Sequence, residues 1–267
     1  MRISKVTLPL LYCFAALAVT CASFAVAFWR LDHYQVVPAL TLDNLRAFLA
    51  NPASLQAFAN SLRLALTVAP VVALGAAATA NLLPRLPLVP RIAALVAIGA
   101  ELLLSYVGFL FGWRTVTSGG RLGLDPELVL RLTYFGLTFP LAFLTCMVRA
   151  DENAEQELAA ARNLGIPILR VAATVSVERF LARFCAAFAV SFAVILMDVF
   201  VSPVVTGGFR YTFGSAIVDQ LKVNQVPVAA AMTTAGLLLA LAVTFAVRVL
   251  CRQLGGGLRA LALSLGD

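Results

Sequence analysis

Residues 61–83 read SLRLALTVAPVVALGAAATANLL, and Arg63 is the single charge among them. A helix needs about 20 residues to cross the hydrocarbon core of a bilayer, and this run is long enough. It is apolar throughout, without the alternation of period two that a barrel strand requires, so it reads as a helix. Five further runs share the pattern: Leu8–Trp29, Ile92–Trp113, Leu128–Val148, Arg183–Val205 and Val228–Leu250. Of the 267 residues 61% are apolar and only 12% charged, against about a quarter charged in a soluble domain. The sequence therefore predicts an all-α membrane protein of six transmembrane helices, folded as one domain over residues 1–267.

The net charge of +7 raises the question of nucleic acid. The basic residues are scattered between apolar blocks, with no stripe and no interleaved aromatics, so a bilayer is the expected partner and nucleic acid is not. With the N-terminus inside, twelve Lys and Arg fall on the inner side and eight on the outer, which places both termini in the cytoplasm. Arg2 and Lys5 before the first run also fit a secretory signal. The run is longer than the usual apolar core of a signal, so a retained helix is expected. Cys13, Cys21, Cys146, Cys185 and Cys251 lie in or beside apolar stretches without paired spacing, and predict neither disulfides nor a zinc site. On the outer side, Thr41 or Asp43 is placed to cap a short amphipathic surface helix. Gly255-Gly256-Gly257 is expected to end the last helix.

The inner loop 149–182 is long and begins Asp151-Glu152-Asn153-Ala154-Glu155-Gln156-Glu157. Acids in the first turns of a helix oppose its dipole, and the alanines that follow are strong helix formers. Gly165 and Pro167 then supply a stop. A helix–glycine turn–helix element is expected there. Its small face at Ala160 and Ala161 suits either close docking on a partner or a plain solvated connector.

This loop resembles the cytoplasmic motif of binding-protein-dependent ABC importer permeases, in which Glu-Ala-Ala is followed three residues later by Gly. The match falls on Ala159-Ala160-Ala161-Arg162-Asn163-Leu164-Gly165. Ala159 takes the place of the glutamate, with Glu157 two residues earlier, and Val175-Ser176-Val177-Glu178 lacks the proline usual further on. Asn60-Ser61-Leu62 is similar to the start of the family's shared core, here about residues 56–250. Met197-Asp198-Val199-Phe200-Val201-Ser202-Pro203 with Gly207-Gly208, and Ser105-Tyr106 through Gly120-Arg121-Leu122, resemble the spermidine/putrescine-type branch. The resemblance implies a type I importer fold in a bacterial inner membrane. It implies a second permease subunit, identical or related, a periplasmic solute-binding protein, and an ATPase subunit that holds ATP and magnesium. Glu157, Ala160, Ala161, Arg162 and Gly165 would couple to that ATPase. The chain itself contains no phosphate-binding Gly-x-x-x-x-Gly-Lys-Ser/Thr loop, so no cofactor is expected on it.

Glu101 and Asp198 fall inside spans, where a carboxylate at the centre costs about 2.5–3.5 kcal/mol unless it meets a cavity or a partner. One reading makes them the lining of a pathway for a cationic solute, with Tyr106, Tyr134 and Phe200 as cation–π surfaces. The other makes each a structural bond to a neighbouring helix or to an arginine such as Arg63 or Arg114. Pro70 and Pro140 interrupt two spans, as gating kinks or static ones. His33, the single histidine, is expected at the outer surface. The chain shows no nucleophile–base cluster and no metal spacing, so an enzyme is not expected. A polyamine is the favoured cargo. Ferric iron, thiamine, phosphonate or an oxyanion remain alternatives within the family, and a secondary carrier or channel outside it.

Overall fold

The computed structural model describes residues 17–18, 20–32, 35–103, 106–118, 125–148, 163, 177–207 and 211–264. It is mostly helical. Residues 20–27 form a helical run that leads into a small antiparallel hairpin, β1 (Arg30–Asp32) and β2 (Gln35–Val37), with Leu31 opposite Val36. Among the described residues the helices that follow are α1 (Asp43–Ala50), α2 (Pro52–Leu82), α3 (Leu88–Leu103), α4 (Tyr106–Ser118), α5 (Pro126–Val148), α6 (Val177–Met197), α7 (Val201–Thr206), α8 (Phe213–Lys222) and the long α9 (Val226–Ser264).

Local chemistry fixes where these helices begin and end. Asn51 accepts from the backbone N–H of Ala53 and Ser54 at 3.0 and 3.4 Å, and Pro52 supplies a preset φ at the first position of α2. At the far end Pro84 and Pro87 stop α2 and admit only a 3₁₀ turn, Leu83–Arg85, before α3 starts. Thr41 caps α1 from just outside it, accepting from the Asp43 N–H at 3.1 Å and donating to the Asp43 carboxylate at 2.7 Å.

Among the described residues four helical segments are long and apolar enough to cross a membrane: Pro52–Arg85, Pro126–Val148, Val177–Met197 and Val226–Gly257. Helices α3 and α4 make a fifth if counted as one span, but their axes meet at 102°. α2, α5, α6 and α9 form the bundle core, with α6 packed against each of the other three. Alanines at positions 65, 69, 73, 76, 77 and 80, beside Leu64, Val68 and Val72, make up most of the buried stripe of α2, which lets its backbone come close to α6 and α5. A second cluster at one end joins Phe48 of α1, Ala57 of α2, Phe213 and Ala216 of α8, and Met232 of α9. α1 is anchored there, with its Asn44 amide donating to the carbonyls of Ala27 and Trp29 at 2.9 and 2.7 Å.

Several expectations change. The single span expected at Ile92–Trp113 is the bent pair α3 and α4. The span expected at Arg183–Val205 breaks after Met197 and resumes as α7. The glycines 255–257 do not end the last helix, which continues to Ser264. Gly255 packs within van der Waals reach of Leu181, and the sequence beyond it is rich in helix formers, which offsets the glycines' conformational cost. The first part of the first span, residues 8–16, the coupling loop with Glu157, Ala160, Ala161, Arg162 and Gly165, and His33 lie outside the described residues.

Candidate functional site

Asp198 stands in the gap between α6 and α7. One carboxylate oxygen accepts from the Tyr106 hydroxyl of α4. The other accepts from the Tyr134 hydroxyl of α5 at 3.1 Å and from the Val201 N–H at 2.8 Å. One side chain thus caps the first turn of α7 and ties it to α4 and α5. A charge at this depth is tolerable because every hydrogen bond it receives is charge-assisted.

The backbone beside Asp198 is held as tightly. Gly214, near the start of α8, lies so close that a Cβ there would come within 2.2 Å of the Asp198 carbonyl oxygen. On the other flank a Cβ at Gly236 of α9 would meet Met197 Sδ at 2.8 Å and Phe213 at 2.7 Å. The chain before α8 is pinned by α2. Ser61 accepts from the Phe213 N–H at 2.9 Å, and Asn60 donates to the Tyr211 carbonyl at 3.1 Å. So Asn60-Ser61, about 150 residues upstream, fixes the return of the chain after the broken span.

Four of the five residues expected along a pathway therefore come together, but not as one solute-facing surface. Tyr134 is 1% exposed, so its ring is closed to any solute and its hydroxyl is committed to Asp198. Phe200 is 63% exposed and sets its ring edge-on to Tyr106, with centroids 6.4 Å apart. Glu101 lies elsewhere. Its carboxylate approaches Gly136, where a Cβ would stand 3.4 Å from Oε1, and Phe109 closes the same spot. Residues 134 and 136 project about 200° apart around α5, so Asp198 and Glu101 occupy different sides of that helix. Glu101 has no hydrogen-bond or ion-pair partner among the described residues.

A second buried polar contact crosses the other end of the bundle. Arg183 of α6, 9% exposed, donates to the Asn81 side chain of α2. The Cys146 thiol of α5 donates to the Arg183 carbonyl at 3.6 Å. Neither arginine named above as a structural partner for the acids, Arg63 or Arg114, has a contact with Asp198 among those just described. Between the last two candidate spans, Tyr211 donates to Asp219 at 2.9 Å and Lys222 donates to it at 2.8 Å. The Lys222 ammonium holds the Asp219 carboxyl below its ordinary range, while burial and the Asp219 charge push the Tyr211 phenol up to about 12.

Sequence reading missed Asn81, Arg183 and Gly214. Asn81 and Arg183 did carry a signal, being polar residues within apolar runs. Gly214 carried none. No metal-binding group of His, Cys, Asp or Glu occurs among the described residues. No protein-family model matches the chain, and no curated protein matches it.

Proposed function

We propose that the chain is the membrane-spanning permease subunit of an ATP-driven importer of binding-protein-dependent type, carrying a small cationic solute such as a polyamine. The observation that carries the reading is Glu101. It is a carboxylate on an apolar helix, partly buried, faced by a glycine and without a partner among the described residues. An acid left without a partner at that depth is costly, and a passing cation is the counter-charge that would offset it.

Two features support the importer form of the reading. The segments that resemble the permease family, Asn60-Ser61, Tyr106 and Met197–Pro203, lie far apart in sequence yet converge on one broken span. Arg85, Arg91, Arg179, Arg183, Arg248 and Arg252 sit toward the end of the bundle where α2 turns into α3, which suits a cytoplasmic face. Asp43, Glu127 and Asp219 belong to the opposite end, each beside a basic residue.

The test is purification of the tagged chain from its native membrane. We expect an ATPase subunit to copurify, and Gly165→Trp to abolish that association and ATP-dependent uptake together. Uptake by the chain alone, driven by an ion gradient without ATP, would instead identify a secondary carrier.

A further inference from the structure

At the Arg183 end of the bundle, α6 and α9 frame a groove of about 500 Å³. Its walls are small and apolar, with Leu181 and Ala186 on α6 and Gly255 on α9. Arg248 and Arg252 line it from α9, and Glu178 is the one acid among the described residues that line it. The two arginines are four residues apart, so they stack on one helix face. Both are exposed, and neither has an ion pair or hydrogen bond to a described residue.

Their depth is informative. From the start of α9 at Val226 to Arg248 the helix rises about 33 Å, close to the ~30 Å thickness of the hydrocarbon core. With Val226 at one face of the bilayer, Arg248 reaches the other, and Arg252 stands about 6 Å beyond it. The groove is apolar where acyl chains run and cationic where phosphates lie.

We propose that this groove holds one anionic phospholipid of the surrounding bilayer. Its phosphate lies between Arg248 and Arg252, and an acyl chain lies against Leu181 and Ala186. Guanidinium groups suit this task because each forks two N–H donors toward a phosphate. Glu178 lowers the net charge of the described lining but leaves it positive. The inference requires that α9 cross the membrane, and it holds whatever solute the protein carries.

Native mass spectrometry of the purified chain tests it. The protein is titrated with phosphatidylglycerol and with phosphatidylcholine of the same acyl chains. We expect one phosphatidylglycerol to be retained in preference to phosphatidylcholine. At roughly 1 kcal/mol for each arginine near an anionic headgroup, R248Q/R252Q should bind it about thirtyfold more weakly. Ala186→Trp, which fills the groove but keeps both arginines, should also lose the bound lipid, whereas R46Q at the other end should not. Equal retention of the two lipids, or undiminished retention by R248Q/R252Q, overturns the proposal and leaves the groove to a protein partner. The two arginines are exposed, so that variant keeps the fold even if Ala186→Trp does not.

Discussion

At Gly214 a hydrogen in place of a methyl group allows α8 to sit on the end of α6. A Cβ there would lie 2.2 Å from the Asp198 carbonyl oxygen and 2.9 Å from the Val199 Cα, both backbone atoms that no rotamer change can move aside. Overpacking in a core costs about 1–3 kcal/mol when side chains can adjust, and here they cannot. Gly214→Ala should therefore destabilise by at least about 3 kcal/mol. It should also loosen the carboxylate clasp, since Asp198 must shift with its own backbone. Gly112 in α4 is the control. No described residue lies within 4 Å of a Cβ built there, so Gly112→Ala should gain about 0.5–1 kcal/mol from helix propensity. Thermal melting followed by size-exclusion in detergent separates the two. A melting temperature for Gly214→Ala at or above wild type would show that α8 does not bear on Asp198. Nothing in the sequence distinguishes these glycines, because the difference lies in what a distant segment brings to one of them.

At the scale of elements, the membrane segments were largely legible and their breaks were not. α5, Pro126–Val148, starts within two residues of the expected span, and the Pro84–Pro87 turn follows directly from the prolines. Hydropathy measures how much apolar surface a segment carries but not the direction of its backbone. It therefore ran on through Met197-Asp198-Val199, where the helix stops and the carboxylate takes over as a cap for α7. The alanine stripe of α2 was equally visible as composition and silent as packing. Ala65, Ala69, Ala73 and Ala77 recur every fourth residue and are wholly buried. In lipid no hydrophobic force drives helices together, so close backbone approach along such a stripe supplies much of the association. Ala73→Leu should push α2 from its neighbours and cost about 1–3 kcal/mol. Leu74→Ala, one residue along at a position 55% exposed, should cost far less. Unfolding in a denaturant series decides the matter. Equal losses for the two variants would mean that the stripe is not the packing face.

For the molecule as a whole, the sequence singled out two acids but could not divide their labour. Asp198 and Glu101 looked alike, each one carboxylate in an apolar run. Only the tertiary arrangement gives Asp198 three donors and leaves Glu101 facing a glycine across α5. This difference makes the transport reading testable against stability. Asp198→Asn removes the charge that strengthens the bonds from Tyr106, Tyr134 and Val201, and it leaves the Val201 N–H without an acceptor wherever the amide nitrogen turns toward it. It should lower thermal stability, and any loss of uptake would follow from that. Glu101→Gln removes a charge that no described neighbour compensates, and a carboxylate at the centre of a span costs about 2.5–3.5 kcal/mol. The folded protein should be as stable as wild type or more so. If a cationic solute uses that charge, uptake should nonetheless fall about tenfold or more, the worth of one charge-assisted hydrogen bond. The two variants then move in opposite senses on two axes, stability for Asp198 and transport for Glu101. Uptake of a labelled polyamine into vesicles holding the assembled transporter, with melting measured on the same preparations, reads both. Unchanged uptake by a stable Glu101→Gln protein would remove the cationic solute from the reading, while leaving the helical architecture and the Asp198 clasp as they stand.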